Sequence, residues 1–141
     1  MNDEYYMRLA LEEASKAFSL DEVPIGCVIV KDDKVISKKY NQKSLKNIAT
    51  YHAEVLAINE ACCKLGTWYL DDCTVYTTVE PCMMCCGAIQ QARVSRVVYG
   101  TKNEAFGYLS KVKNNKIDIK GNVLDKECTK LLSDFFKKKR N

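Results

Sequence analysis

No stretch of this sequence holds the roughly 18 consecutive apolar residues that a membrane-spanning helix needs, so a spanning segment is excluded. The start, Met1-Asn2-Asp3-Glu4, is acidic where a secretory leader would be basic and then strongly apolar. Export is not expected, and the expected compartment is the cytoplasm. Histidine is almost absent, with one in 141 residues, and proline occurs twice. No internal repeat, low-complexity tract or linker interrupts the chain, and its length suits one compact unit spanning residues 1–141. Cysteine is abundant at eight, but with no leader in front of them these residues read as thiols or metal ligands rather than a disulfide scaffold. Charge is unevenly spread. Residues 1–92 carry 9 basic and 13 acidic groups, whereas residues 93–141 carry 13 basic and 5 acidic ones, and such a one-sided positive region suits a polyanionic partner.

Met7, Ala10, Leu11, Ala14, Ala17 and Phe18 recur at helical spacing behind Asp3 and Glu4, which predicts a first amphipathic helix ending before Pro24. Two short apolar runs, 25–31 and 35–40, flank Asp32-Asp33-Lys34 and predict a tight hairpin. Residues 41–50 read as irregular, 53–64 as a second helix stopped by Gly66, 74–79 as a strand, 81–93 as a helix, and 95–99 as a strand closed by Gly100. That strand–helix–strand order predicts a parallel pair with a crossover helix. Residues 101–115 read as a surface loop, Ile117 and Ile119 as a short edge strand, and Leu124, Cys128, Leu131, Leu132 and Phe135 as one face of a last helix. The fold expected is α/β, with helices on both faces of a mixed sheet of about five strands.

The single histidine, His52, stands two residues before Glu54 and upstream of Pro81-Cys82-Met83-Met84-Cys85. Cys82 and Cys85, three apart on the first turn of the expected helix, can turn both sulfurs to one ion, with Pro81 suited to that helix's first position. The positive helix end favours thiolate, and thiolate with imidazole selects zinc. Three protein ligands leave a tetrahedral zinc one open position, where a bound water falls to a pKa of roughly 7. Glu54, next to a ligand without being one, suits proton transfer to a substrate nitrogen. Buried helix cysteines and a core histidine are the plainer reading of each part taken alone. A closed structural zinc is a second rival, because Cys86 lies four residues after Cys82.

His-Ala-Glu followed by Pro-Cys-Met-Met-Cys resembles the H-x-E and P-C-x-x-C signature of zinc nucleobase deaminases. Glu22-Val23-Pro24-Ile25-Gly26, Asn41, the 93–100 segment and Glu127-Cys128 with the 131–136 segment extend the likeness over nearly the whole chain, toward the bacterial tRNA-specific adenosine deaminases. The resemblance implies a three-layer α/β/α cytidine deaminase-like fold, one zinc ion on His52, Cys82 and Cys85, and Glu54 as proton shuttle. It further implies Asn41, Ala53, Ile25 and Pro81 around the target base, attack at C6 of adenine, loss of ammonia and an inosine product. Partners implied are a tRNA anticodon stem-loop and a second copy of the chain, since a base stacked in a duplex cannot enter such a pocket.

Asn103, Phe106, Lys137, Lys138 and Arg140, with Lys111 and Lys113, are candidate contacts to the nucleic acid. Tyr108, Phe135 and Phe136 join Phe106 as candidates to stack on bases, with core packing the other reading of Phe135 and Phe136, while Asn41 also reads as a turn residue, Ala53 as a small helix residue and the terminal basic run as a solvated tail. The chain departs from the branch at Tyr51, placed to reshape the pocket mouth, at Cys27 in place of an alanine, and at Asn103 in place of an aspartate. A neutral amide at 103 repels phosphate less than a carboxylate does, so single-stranded DNA is a further candidate substrate. Two other classes stay open: a deaminase of free bases or nucleotides, and a zinc-stabilised nucleic-acid-binding module without catalysis. Cys62, Cys63, Cys73 and Cys128 read as small buried hydrophobes.

Overall fold

The computed structural model describes residues 2–112 and 116–140. Its elements follow one another as α1 (Asp3–Ser19), β1 (Gly26–Lys31), β2 (Lys34–Tyr40), α2 (Lys43–Lys46), α3 (Ala53–Leu65), β3 (Cys73–Val79), α4 (Met83–Gln91), β4 (Arg96–Thr101), a one-turn 3-10 helix (Leu109–Lys111), β5 (Asp118–Lys120) and α5 (Asp125–Arg140). The strands form one mixed sheet in the order β2-β1-β3-β4-β5. β1 pairs antiparallel with β2 and β3, while β3–β4 and β4–β5 run parallel. The hairpin between β1 and β2 turns on Asp32 and Asp33, both at positive φ, the backbone of the tight turns whose twist matches that of the flanking strands.

Every residue of β3 and all but the last of β1 are buried. Alternate side chains then serve opposite faces. Cys27, Ile29, Val75 and Val97 pack with Ala57, Ala61 and Ile89 of α3 and α4. Val28, Val30, Tyr76 and Val98 pack with Met7 and Ala10 of α1 and Cys128 of α5. The result is the three-layer arrangement expected from the sequence.

Four expectations need correcting. The helix predicted over 81–93 runs only from Met83 to Gln91, because Cys82 is extended (φ −74°, ψ 178°) and caps it, which puts Pro81 outside the helix rather than at its first position. β4 continues through Gly100 to Thr101, where the glycine leaves room for the Cys128 side chain packed against the strand. Residues 43–46 form a helical turn inside the segment read as irregular. The supposed loop after residue 101 bridges back to Cys82 through Gly107 and buries Leu109. Of the extra cysteines, Cys73 and Cys128 are buried as expected, whereas Cys62 is only partly so and Cys63 is exposed. Lys113 lies outside the described residues.

The first helix is held to the sheet by charge as well as by apolar contact. Asp3 accepts two hydrogen bonds from the Arg96 guanidinium at 2.8 and 2.9 Å, one from Tyr76 Oη at 2.8 Å and one from Lys120 Nζ at 3.0 Å. The Arg96 guanidinium, more than any other partner, holds the Asp3 carboxyl far below its usual range. Asp3→Asn removes the carboxylate that takes two of the Arg96 hydrogen bonds and leaves the part-buried guanidinium facing the exposed Asp118, 3.3 Å from Nε, so the variant is expected to cost about 2 kcal/mol in urea unfolding at pH 7. A carboxylate with a depressed folded-state pKa contributes fully above its unfolded value and loses that contribution as pH falls. The gap between native protein and Asp3→Asn therefore narrows as pH drops from about 4 toward 2.

Candidate metal centre and cavity

Two helices begin at the same point. His52 caps the N-terminus of α3 with extended backbone (φ −75°, ψ 151°), and Cys82 caps that of α4. Neither side chain makes an N-cap hydrogen bond, and Cys82 Sγ turns instead toward Cys85 and His52. Cys85, in the first turn of α4, completes the group. His52 Nδ1 lies 3.7 Å from Cys82 Sγ and 3.5 Å from Cys85 Sγ. A tetrahedral zinc with ordinary Zn–N and Zn–S bonds spans edges of about 3.6 Å between such ligands, so the donor set fits one ion. Among the described residues this is the group whose ligand atoms meet, all within 4.8 Å of one another. Cys86, the rival fourth ligand, is buried and points its thiol at the Pro81 carbonyl, 3.6 Å away.

The protonation pattern suits a cation. Hydrogen bonding from Cys85 and then His52 holds the Cys82 thiol down at about 3, a thiolate at neutral pH. The same partnership, with burial, pushes Cys85 up, so without an ion the two sulfurs share one proton. Glu54 is 3% exposed, and burial pushes its carboxyl up to about 7. Beside it in β1, burial also drives the Cys27 thiol well above its ordinary value.

His52 and Glu54 open onto a cavity of about 450 Å³, while Cys82, Cys85 and Cys27 stand behind its wall. His52, Ala53 and Glu54 of α3 form one wall, and Val23, Ile25, Asn41 and Lys43 a second. Val79 closes the end of β3, the 102–106 segment forms a third wall, and Leu132 and Phe136 of α5 reach over from the opposite layer. Asn41, 7% exposed, donates through Nδ2 to Val23 O (3.3 Å) and accepts at Oδ1 from Lys43 N (3.2 Å), so it is both a turn residue and a cavity residue. Its amide still has one N–H and one lone pair to offer. Ala53 opens α3, where first-turn N–H groups have no intrahelical acceptor.

The other predicted residues are placed less uniformly. Pro81 is buried, outside the cavity wall, and its carbonyl accepts from Tyr108 N at 3.0 Å. Asn103 and Phe106 both line the cavity, Phe106 at 73% exposure, and Asn103 Oδ1 accepts from Phe106 N. Lys137, Lys138 and Arg140 form the exposed last turn of α5, not a loose tail, and lie off the cavity wall. Lys138 Nζ sits 5.4 Å over the Phe18 ring, Lys139 pairs with Asp21, and Lys111 Nζ lies 5.8 Å over Tyr108. Tyr51 is not part of the wall.

Sequence reading missed Lys43, Lys102, Glu104 and Leu132 as wall residues, and of its two readings of Phe136 it preferred core packing, although the side chain is 44% exposed and lines the cavity. It also missed two buried carboxylates, Glu22, which accepts from Ser44 N and Leu45 N, and Glu80, which accepts from Asn103 N and Leu109 N. A lone glutamate between Val79 and Pro81, inside an otherwise buried run, was the available signal for the second.

A thiolate–imidazole triangle, a buried acid beside it and an open hollow of about 450 Å³ at the carboxyl ends of parallel strands define a class: a hydrolytic nucleobase deaminase of α/β/α architecture. The chain belongs to the MafB19-like deaminase family, whose model matches residues 1–140, and within it lies close to the tRNA-specific adenosine deaminases. It is 40% identical over 144 residues to the tRNA-specific adenosine deaminase of Streptococcus pyogenes serotype M1, spanning 96% of this chain and 84% of that one. A solved tRNA:A34 deaminase, studied for A-to-I editing at the wobble position of transfer RNA, superposes with a TM-score of 0.87 at 35% identity, covering 91% of this chain and 99% of the other. A guanine deaminase from Bacillus subtilis superposes with a TM-score of 0.70 at 38% identity over 79% of this chain and 76% of the other.

The ligand geometry predicts that Cys85→Ala purifies with bound zinc reduced from one per chain to less than about a tenth, while Cys86→Ala keeps its ion. Elemental analysis of both variants after dialysis checks this.

Proposed function

We propose that residues 1–141 form one catalytic unit that hydrolyses the 6-amino group of adenosine at the wobble position of a tRNA anticodon loop, giving inosine and ammonia. The observation that carries this reading is the His52, Cys82 and Cys85 triangle beside the buried Glu54, within a chain that matches the tRNA-specific adenosine deaminases over 96% of its length. His52, Cys82 and Cys85 hold one zinc ion, which when bound supplies Lewis-acid activation of water.

The rest of the work falls to the chain's own side chains. Glu54, with its carboxyl near neutrality, exchanges a proton readily in either direction. It takes one proton from the attacking water and delivers it to N1 of the purine, then takes the second from the new C6 hydroxyl and delivers it to the amine as the C6–N6 bond breaks, so that the two protons of water end on N1 and in ammonia. The free capacity of Asn41 and the first-turn N–H of Ala53 fix the ring edge, and Ile25 and Val79 present apolar surface to its face. Lys43 and Lys102 put positive charge at the mouth, where phosphates flank the extruded base. Asn103 and the exposed Phe106 meet the neighbouring nucleotides, while Lys137, Lys138 and Arg140 extend a basic surface toward the stem. A single-stranded loop is required because only an unstacked base can enter. The reading includes a homodimer working in the cytoplasm, and single-stranded DNA as a secondary substrate.

A free-base deaminase is the second reading, favoured by the likeness to the Bacillus subtilis guanine deaminase. The greater coverage of the tRNA-enzyme relatives and the basic final third support the first. The native protein is expected to convert adenosine to inosine in an anticodon stem-loop at least about a hundred-fold more efficiently than it deaminates guanine or free adenosine, because remote contacts contribute binding energy to the reacting centre. Glu54→Ala is expected to lower kcat by at least about a hundred-fold with zinc content unchanged. Nucleoside analysis of digested RNA, with ammonia release from guanine measured in parallel, decides between the two readings. Faster turnover of guanine would replace the proposal.

A further inference from the structure

We propose that Glu80 is a positioning residue for substrate, a buried carboxylate that straps the 102–109 segment to the metal-ligand turn and so sets where the nucleic-acid wall of the cavity stands. This deepens the reading above and rests on it.

Glu80 is 7% exposed and sits between β3 and Cys82. Its two oxygens are divided between two distant backbone groups, with Oε1 accepting from Asn103 N and Oε2 from Leu109 N, each at 3.2 Å. A buried carboxylate held only by amide N–H groups gains no Coulombic compensation from a cation, and an apolar side chain would suit the surroundings better if packing were the sole requirement. No ion pair to Glu80 occurs among the described residues.

What the carboxylate holds is specific. The first anchor, Asn103, and the three residues that follow it, Glu104, Ala105 and Phe106, are four consecutive cavity residues. The strap is reinforced by Tyr108 N donating to Pro81 O at 3.0 Å and by the Cys82–Gly107 bridge. Position 107 is reserved for glycine by the same contact, since a Cβ there would overlap the Glu80 carboxylate and the Asn103 carbonyl. Glu80 itself is absent from the cavity wall and acts through the segment that it holds. The chain thereby fixes the wall that meets flanking nucleotides to the short turn that presents Cys82.

Glu80→Gln keeps the shape but can accept only one of the two N–H groups and turns a donor toward the other. Gly107→Ala displaces the strap from the opposite side with Glu80 intact. Both variants are expected to retain zinc and to raise KM for the anticodon stem-loop about ten-fold with kcat within about three-fold of native, the signature of lost substrate positioning. Amide hydrogen exchange at Asn103 and Leu109 in the substrate-free protein is expected to quicken at least about ten-fold in Glu80→Gln. Loss of zinc together with kcat would assign Glu80 to support of the metal turn and overturn the proposal, as would an unchanged KM or unchanged exchange. The exchange arm needs no substrate. Failure of the native protein to act on the stem-loop would therefore strike the functional reading, while the strap would still be judged by exchange.

Discussion

The cavity depends on two helix N-termini brought to one point. The partial positive charge at the start of a helix is unfavourable beside a second such end unless negative charge lies between them. Here α3 and α4 begin together, and the groups between them are the Cys82 thiolate, the Cys85 thiol and the Glu54 carboxyl. The arrangement favours deprotonated sulfur before any ion arrives, and it makes a cation with two thiolates a nearly neutral unit. At the cap positions neither His52 nor Cys82 spends its side chain on an N-cap hydrogen bond, so both remain available to the ligand triangle.

The sheet explains why these ends coincide. β1 runs antiparallel to β3, so the start of β1 lies beside the end of β3, and the Val23–Ile25 approach to β1 faces the turn that follows Val79. β3 and β4 are parallel, so both deliver their following segments to the same edge. One segment carries Cys82 and the other carries Lys102 and Asn103. α5, packed on the opposite face of the sheet, is long enough to extend Leu132 and Phe136 over that edge. Both helical layers therefore contribute to one hollow, and the ion-paired anchoring of Asp3 to Arg96 fixes the layer that α1 shares with α5.

The fold and the metal group were legible because each rests on short-range pattern. The short β-branched and apolar runs of β1 and β3, helical spacing in α1 and α5, and the residue types at 52, 54, 82 and 85 are visible in a single reading of the chain. What was not legible depended on long-range backbone contacts. Pro81 reads as a helix opener until the bridge to Gly107 draws Cys82 into extended conformation, and the 102–109 segment lacks periodicity because Glu80 and Pro81, 23 to 29 residues away, supply its hydrogen bonds. Phe136 continues an apolar stripe in sequence, yet it lies where the sheet edge ends and nothing covers it completely.

Asn103 shows how such contacts change the meaning of a substitution. Its carboxamide oxygen accepts from Phe106 N, and its own N–H is held by Glu80. An aspartate could accept the same N–H with a stronger, charge-assisted bond, so the amide is not needed to shape the turn. The difference between the two residues at this position is therefore one of charge on the cavity wall, close to Lys102 and Glu104. With the amide, Glu104 is the carboxylate of the 102–106 wall, and Lys102 stands beside one negative charge fewer. The turn fixes the location of that charge and leaves its sign to the side chain, so the electrostatics of this wall can change without disturbing the metal turn to which it is strapped.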